Sequence, residues 1–134
     1  ETGITFHYIT DIVDGGNIIL QKKLDILDND TAYSLYHKCI SLFLDNFTEA
    51  LNRFLSNNYG EEQKGKVSLF KRELPFGGEM DFDNTTYTEA TRFVKAMYFP
   101  PYKGACFSSK NHKKVEVKTT QELEKYKHLF KDMK

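Results

Sequence analysis

Apolar positions recur along this chain in two rhythms. Residues 4–9, Ile-Thr-Phe-His-Tyr-Ile, are β-branched and aromatic, follow Gly3 and precede polar residues, which predicts a strand. Residues 17–26 open on the apolar run Ile18-Ile19-Leu20 and pass into alternation, which predicts a second strand. Between them, residues 10–16 read as a loop whose paired Gly15 and Gly16 permit positive φ and close backbone approach. The rhythm then changes. Leu35, Tyr36, Cys39, Ile40, Phe43, Phe47, Leu51 and Phe54 recur at three- and four-residue steps, predicting a helix over 32–55. Asp28, Asp30 and Thr31 offer capping oxygens at its start, and Asn57-Asn58-Tyr59-Gly60 stops it.

Residues 56–86 are polar and glycine-containing, predicting mostly loop with a short strand near 67–70. A second helix is expected over 87–98, capped by Thr86, with Ala90, Phe93, Val94 and Met97 on one face. The segment Phe99-Pro100-Pro101-Tyr102-Lys103-Gly104 must end it, since proline lacks a backbone donor and disfavours the helical conformation before it. A hairpin is expected from 105–107 and 113–118 across 108–112, followed by a charged helix, packed or frayed, over 122–134.

At 134 residues the chain is long enough for a real core. The hydrophobic share of 40% and charged share of 28% belong to an ordinary globular chain. Lys+Arg and Asp+Glu are both 19, and a balanced charge argues against a nucleic-acid partner, whose phosphates must be neutralised. Cys39 and Cys106 lack metal-ligand spacing, so we expect reduced thiols and no metal. Without an apolar run of about 18 residues or a leader pattern, we expect no membrane association and a cytoplasmic protein. The chain starts at Glu1 in what reads as mid-domain strand, so we expect a piece of a longer protein.

Three groups could carry chemistry. His7 and Asp14 sit on a strand and its following loop, where ligands of α/β sheets bind, although Asp beside glycine is equally a turn signature. Phe99 and Tyr102 flank stiff prolines, suited to holding rings against a ligand or serving as a rigid connector. Lys103, Lys110, His112, Lys113 and Lys114 form a basic scatter that could meet a pyrophosphate or simply face solvent. The chain has no complete phosphate-cradling GxxxxGK[ST] loop, since Val67 stands where Ser or Thr must follow Gly60 to Lys66, and no HExxH or GxSxG motif.

The run Glu1-Thr2-Gly3-Ile4-Thr5-Phe6-His7, then Asp14-Gly15-Gly16-Asn17-Ile18-Ile19-Leu20-Gln21, closely resembles a stretch of the folate-dependent formyltransferases, E-T-G-V-T-x-H and D-x-G-x-I-I-x-Q. Asp30-Thr31-Ala32 with Ser34-Leu35-Tyr36 resembles the start of that family's next helix. Gly77-Gly78-Glu79-Met80-Asp81, Arg92-Phe93-Val94-Lys95-Ala96 and Phe99 to Ala105 resemble later elements. The resemblance implies an α/β fold: the C-terminal end of a Rossmann-like formyltransferase domain over 1–56, then a connector and small C-terminal extension with a β-hairpin over 57–134.

It further implies N10-formyltetrahydrofolate as the formyl donor. Asp14 corresponds to the family's catalytic aspartate and His7 to an auxiliary position. Ile9, Thr10, Asp11, Ile12 and Val13 correspond to backbone lining the donor's pterin. The family's catalytic Asn and His lie upstream of the stretch matched by Glu1, so this segment alone is expected to be inactive. Among the family's branches, the tRNA-modifying one has a basic C-terminal barrel, and only 29 residues follow Ala105 here. The sugar-modifying branch fits best. It implies a dTDP- or UDP-linked amino sugar as acceptor, Phe99, Tyr102 and Lys103 as substrate-binding candidates, a role in surface polysaccharide synthesis, and a possible homodimer through 105–118. The alternatives are a methionyl-tRNA or other amine formyltransferase, or a non-catalytic dimerisation or binding module.

Overall fold

The computed structural model describes residues 1–56, 59–65 and 72–133. The chain divides into two compact units, Glu1–Asp28 with Leu35–Phe70, and Asn29–Ser34 with Lys71–Lys134.

In the first unit, β1 (Thr2–His7) pairs antiparallel with β2 (Ile18–Leu24). Thr2 lies opposite Leu24 and Phe6 opposite Leu20, and the register shifts between Phe6 and His7. Gly3 fits where a Cβ would stand 2.2 Å from the Lys22 carbonyl oxygen. Helix α1 spans Ala32–Leu55, the range its apolar spacing predicts. It covers the strand pair with part of its broad apolar arc: Phe6 stacks on Phe43 at 4.8 Å and Tyr8 meets Phe54 at 5.7 Å between ring centroids. Leu20 and Ala50 are buried between them, while Leu44, Leu51 and Leu55 stay exposed. Glu49 pairs with Lys22 at 3.1 Å and Arg53 at 2.6 Å. The Lys22 hydrogen bond holds the Glu49 carboxyl below the usual carboxylate range, against desolvation.

The second unit includes the start of α1. Thr31 Oγ1 accepts from Ser34 N (3.1 Å) and Ser34 Oγ accepts from Thr31 N (2.9 Å), a capping box with serine in the place of glutamate. Ser34 Oγ also reaches the buried Asp30 carboxylate at 2.8 Å. Helix α2 (Tyr87–Met97) carries the full box: Thr86 Oγ1 accepts from Glu89 N, and Glu89 accepts from Thr86 N at 2.8 Å. That backbone hydrogen bond lowers the pKa of Glu89.

Strands β3 (Glu79–Asp81), β4 (Ala105–Ser109) and β5 (His112–Val117) form one sheet, with β3 parallel and β5 antiparallel to β4. The hairpin is expected, with a tighter turn than 108–112. β3 is not: three residues carry no periodicity, and their pairing with residues 106–108 is long-range. The expected strand near 67–70 lies outside the described residues.

The core of this unit is aromatic, with Phe82, Phe107 and Phe130 fully buried beside Val94, Val117 and Leu123. Phe130 explains why the tail is neither a long helix nor frayed. Helix α3 stops after Thr120–Glu124, a 3₁₀ turn spans Lys127–Leu129, and Phe130 enters against Phe82 (5.1 Å), Tyr87 (5.7 Å) and Phe107 (5.7 Å). Burying such a ring contributes roughly 1.5–3 kcal/mol, more than a continued exposed helix would return. Asp132 Oδ1 then accepts from Tyr87 N at 2.9 Å and fastens the tail to the start of α2.

Candidate functional site

β1 ends at His7 and passes the chain to a loop that returns as β2. Tyr8 N donates to Asn17 O at 3.0 Å and closes the loop at its neck, and Gly15 N donates to Ile12 O at 3.1 Å within it. Thr10 Oγ1 accepts from Ile12 N at 3.3 Å. The aliphatic side chains of this loop face solvent: Ile9 is 95%, Ile12 71% and Val13 81% exposed. Large apolar residues grouped at the surface mark an interaction surface more often than chance exposure.

The left-handed residue of the loop is Asp14, at φ +54. The glycine pair permits positive φ, yet neither Gly15 nor Gly16 is in that region. Close backbone approach, which such a pair also permits, is found at Gly16. A Cβ on Gly16 would lie 1.8 Å from the Tyr8 carbonyl oxygen, and one on Gly15 would lie 2.6 Å from the Ile12 Cγ2. Holding a non-glycine residue in the left-handed region costs about 1–2 kcal/mol, which asparagine and aspartate tolerate best. Something must hold it there.

That group is Gln63, whose side-chain amide donates to the carbonyl oxygens of Asp14 and Gly16, each at 2.6 Å. Residues 59–63 run back along the start of β2 to reach them. Ile18 and Glu61 exchange backbone hydrogen bonds of 2.8 Å, and Asn17 Nδ2 donates to Tyr59 O at 3.0 Å. Gly60 takes φ +71 there, with Ile18 O only 2.7 Å from where a Cβ would sit. Two net hydrogen bonds of about 1 kcal/mol each offset the cost of the Asp14 conformation. Nothing in the sequence around Gln63 signals this, because its partners lie 47 and 49 residues away.

His7 approaches Asp14 from the strand end. Its Nδ1 is 2.8 Å from the Tyr8 carbonyl oxygen. A carbonyl only accepts, so Nδ1 carries the hydrogen. Nε2 is left facing Asp14 Oδ1 at 3.6 Å, an attractive contact when the ring is doubly protonated. The Asp14 side chain is 88% exposed, against 27% for His7. His7 also lines an open cleft of about 310 Å³ together with Thr5, Phe47, Leu51 and Phe54. An exposed carboxylate backed by an imidazole can accept or relay a proton from a group that docks against it.

The remaining candidates belong to the second unit. Phe99 and Tyr102 lie 6.0 Å apart between ring centroids around the cis Pro100-Pro101 bond, and Tyr33 meets Phe99 edge-on at 5.7 Å. Phe99 and Tyr102 line a small cleft of about 80 Å³ with Met97, Tyr98 and Lys118. Tyr102 is 72% exposed, and Lys103 is exposed beside it. Of the basic scatter, Lys114 pairs with Glu79, whose carboxyl it holds below the usual range with the help of Ser108. Among the described residues no helix is long and apolar enough to cross a membrane.

Comparison with known proteins supplies the context. Residues 1–51, which include β1, the Asp14 loop, β2 and most of α1, match the family described as formyl transferase. GDP-perosamine N-formyltransferases of Brucella melitensis and Brucella abortus are each 35% identical to this chain over 102 residues, 76% of its length. The chain spans 39% of the length of each of these curated relatives. A crystal structure of a 4-N formyltransferase from Francisella tularensis superposes with a TM-score of 0.72 at 25% identity, covering 86% of this chain and 49% of that one.

Proposed function

We propose, from the premise that the chain belongs to the formyl transferase family, that it forms part of an enzyme that formylates the amine of a nucleotide-linked amino sugar. The observation that carries this reading is the exposed Asp14 carboxylate, backed by His7, on the segment that matches the family. The sugar acceptor is supported by the two GDP-perosamine N-formyltransferases, whose similarity extends over 102 residues and so beyond the family match. GDP joins dTDP and UDP as the nucleotides to test.

The proposed donor is N10-formyltetrahydrofolate, which supplies an activated formyl group when bound. The backbone of loop residues Ile9, Thr10, Asp11, Ile12 and Val13 would hold it, with the exposed aliphatic side chains of Ile9, Ile12 and Val13 suiting a flat ring. Asp14 accepts the proton released as the sugar amine becomes an amide, and His7 steadies the carboxylate when its ring is doubly protonated. Phe99 and Tyr102 would stack against the sugar nucleotide, with Lys103 near its phosphates. We place the enzyme in the cytoplasm, in synthesis of a surface polysaccharide, and expect a homodimer through the hairpin of β4 and β5.

The test is formyl transfer from N10-formyltetrahydrofolate to GDP-, dTDP- and UDP-linked amino sugars by the full-length gene product and its Asp14→Asn variant. The expected result is turnover on one nucleotide series, reduced about 10²–10⁴-fold in the variant, the range of a general acid–base contribution. No turnover on any amino sugar would overturn the acceptor assignment.

A further inference from the structure

We propose that Gln63 is a positioning residue that fixes Asp14 toward its reacting partner by clamping the backbone on both sides of the loop apex. The inference rests on the proposed role of Asp14 and concerns a residue outside the stretch that matches the family, which ends at residue 51.

Three observations support it. The Gln63 amide nitrogen has two hydrogens, and the loop presents two carbonyls to it, Asp14 O and Gly16 O, both at 2.6 Å. Both partners are acceptors, so the amide orientation follows from the network. Those carbonyls turn to one side because Asp14 is left-handed, at φ +54. The clamp therefore selects the backbone conformation that aims the Asp14 side chain. Finally, the segment bearing Gln63 is itself held. The paired 2.8 Å hydrogen bonds of Ile18 and Glu61 tie it to β2 two residues from Gln63, and the 3.0 Å bond from Asn17 to Tyr59 holds it four residues away. The clamp thus links Asp14 to the sheet by a route separate from the loop itself.

The chemistry explains why glutamine suits the position. Glutamate has the same shape but no N–H, and would set carboxylate oxygens against two carbonyl oxygens. Lysine has an ammonium that can donate to both. Gln63 is exposed, so the core does not depend on it. A catalytic group displaced by about an ångström loses up to about 100-fold in rate while substrate binding is largely kept.

The experiment uses the full-length gene product with Gln63→Glu, Gln63→Lys, Gln63→Asn and Asp14→Asn. In Gln63→Glu we expect kcat for formyl transfer to fall about 10- to 100-fold with KM changed less than about twofold, and Gln63→Lys to recover most of that loss. Gln63→Asn, one methylene short, gives the same loss by a gentler change should the glutamate disturb folding. The second readout is independent of activity. Asp14→Asn shifts the NMR signals of the His7 ring, and this response should largely vanish in the Gln63→Glu or Gln63→Asn background.

Unchanged kcat together with an unchanged His7 response would overturn the inference. So would lost kcat with a lowered unfolding midpoint and an intact His7 response, since that is a merely structural role. If Asp14→Asn keeps full activity, the proposed role of Asp14 fails, and the His7 response alone decides whether Gln63 holds the loop.

Discussion

His7 turns Nδ1 toward the carbonyl oxygen of Tyr8, 2.8 Å away, and therefore meets Asp14 with Nε2, at 3.6 Å from Oδ1. One backbone carbonyl thereby sets the tautomer of the ring beside the candidate carboxylate. The neutral His7 ring should carry its hydrogen on Nδ1, the rarer form for a free imidazole. Nitrogen-15 shifts and long-range nitrogen–proton correlations of the His7 ring report this directly. The Asp14→Asn change should move the Nε2 resonance more than the Nδ1 resonance. A ring protonated at Nε2 when neutral would mean that the Tyr8 contact does not direct it, and that His7 instead points its N–H at Asp14.

What the sequence disclosed of this arrangement follows from the range of the interactions involved. Helix α1 was legible because its apolar period and the capping oxygen of Thr31 are local. The Thr86 cap and the start of α2 were legible for the same reason. His7 and Asp14 were legible as neighbours since a strand end and its next turn must lie close. Gln63 was not, because its meaning depends on carbonyls on the far side of α1 in sequence. β3 and the buried Phe130 were missed likewise: one needs a strand partner about 27 residues away, the other a cavity built by Phe82, Tyr87 and Phe107. Even the glycines divided this way. Close approach at Gly16 was foreseeable, but the transfer of positive φ to Asp14 reflects the long-range clamp.

Tyr87 offers a pH test of the second unit. Its hydroxyl donates to the Glu124 carboxylate, and partial burial followed by that hydrogen bond pushes its pKa up to about 12 from 10.0. The folded state thus favours the neutral phenol more than the unfolded chain does. The resulting stability is fully present below about pH 10 and is lost as pH rises to about 12. Solvent screening at this partly exposed site reduces it to on the order of 1 kcal/mol. Urea unfolding of wild type and Tyr87→Phe across this window should show the two stabilities converging. Lys127, 4.8 Å over the ring, keeps a ring to rest on in the variant, so the difference isolates the hydroxyl. A gap that persists at pH 12 would show that the hydroxyl contributes through packing alone.

The glycine pair permits a sharper contrast within the candidate site. Neither Gly15 nor Gly16 is in the left-handed region, so alanine at either position is judged by contact alone. At Gly16 the new methyl would meet the Tyr8 carbonyl at 1.8 Å, and backbone held by the Tyr8–Asn17 hydrogen bond cannot yield cheaply. At Gly15 it would meet the Ile12 side chain, which is 71% exposed and free to rotate away. Gly16→Ala should therefore cost about 1–3 kcal/mol or more, and Gly15→Ala markedly less. Because the displaced carbonyl is also the one that orients His7, Gly16→Ala should disturb the His7 ring signals and, in the full-length gene product, reduce the proposed formyl transfer together. Denaturant unfolding, ring NMR and turnover of the two variants check each link. Equal costs at the two positions would mean that the neck of the loop gives way more readily than its hydrogen bonding implies, and that the Tyr8 carbonyl is not the fixed point on which the site is built.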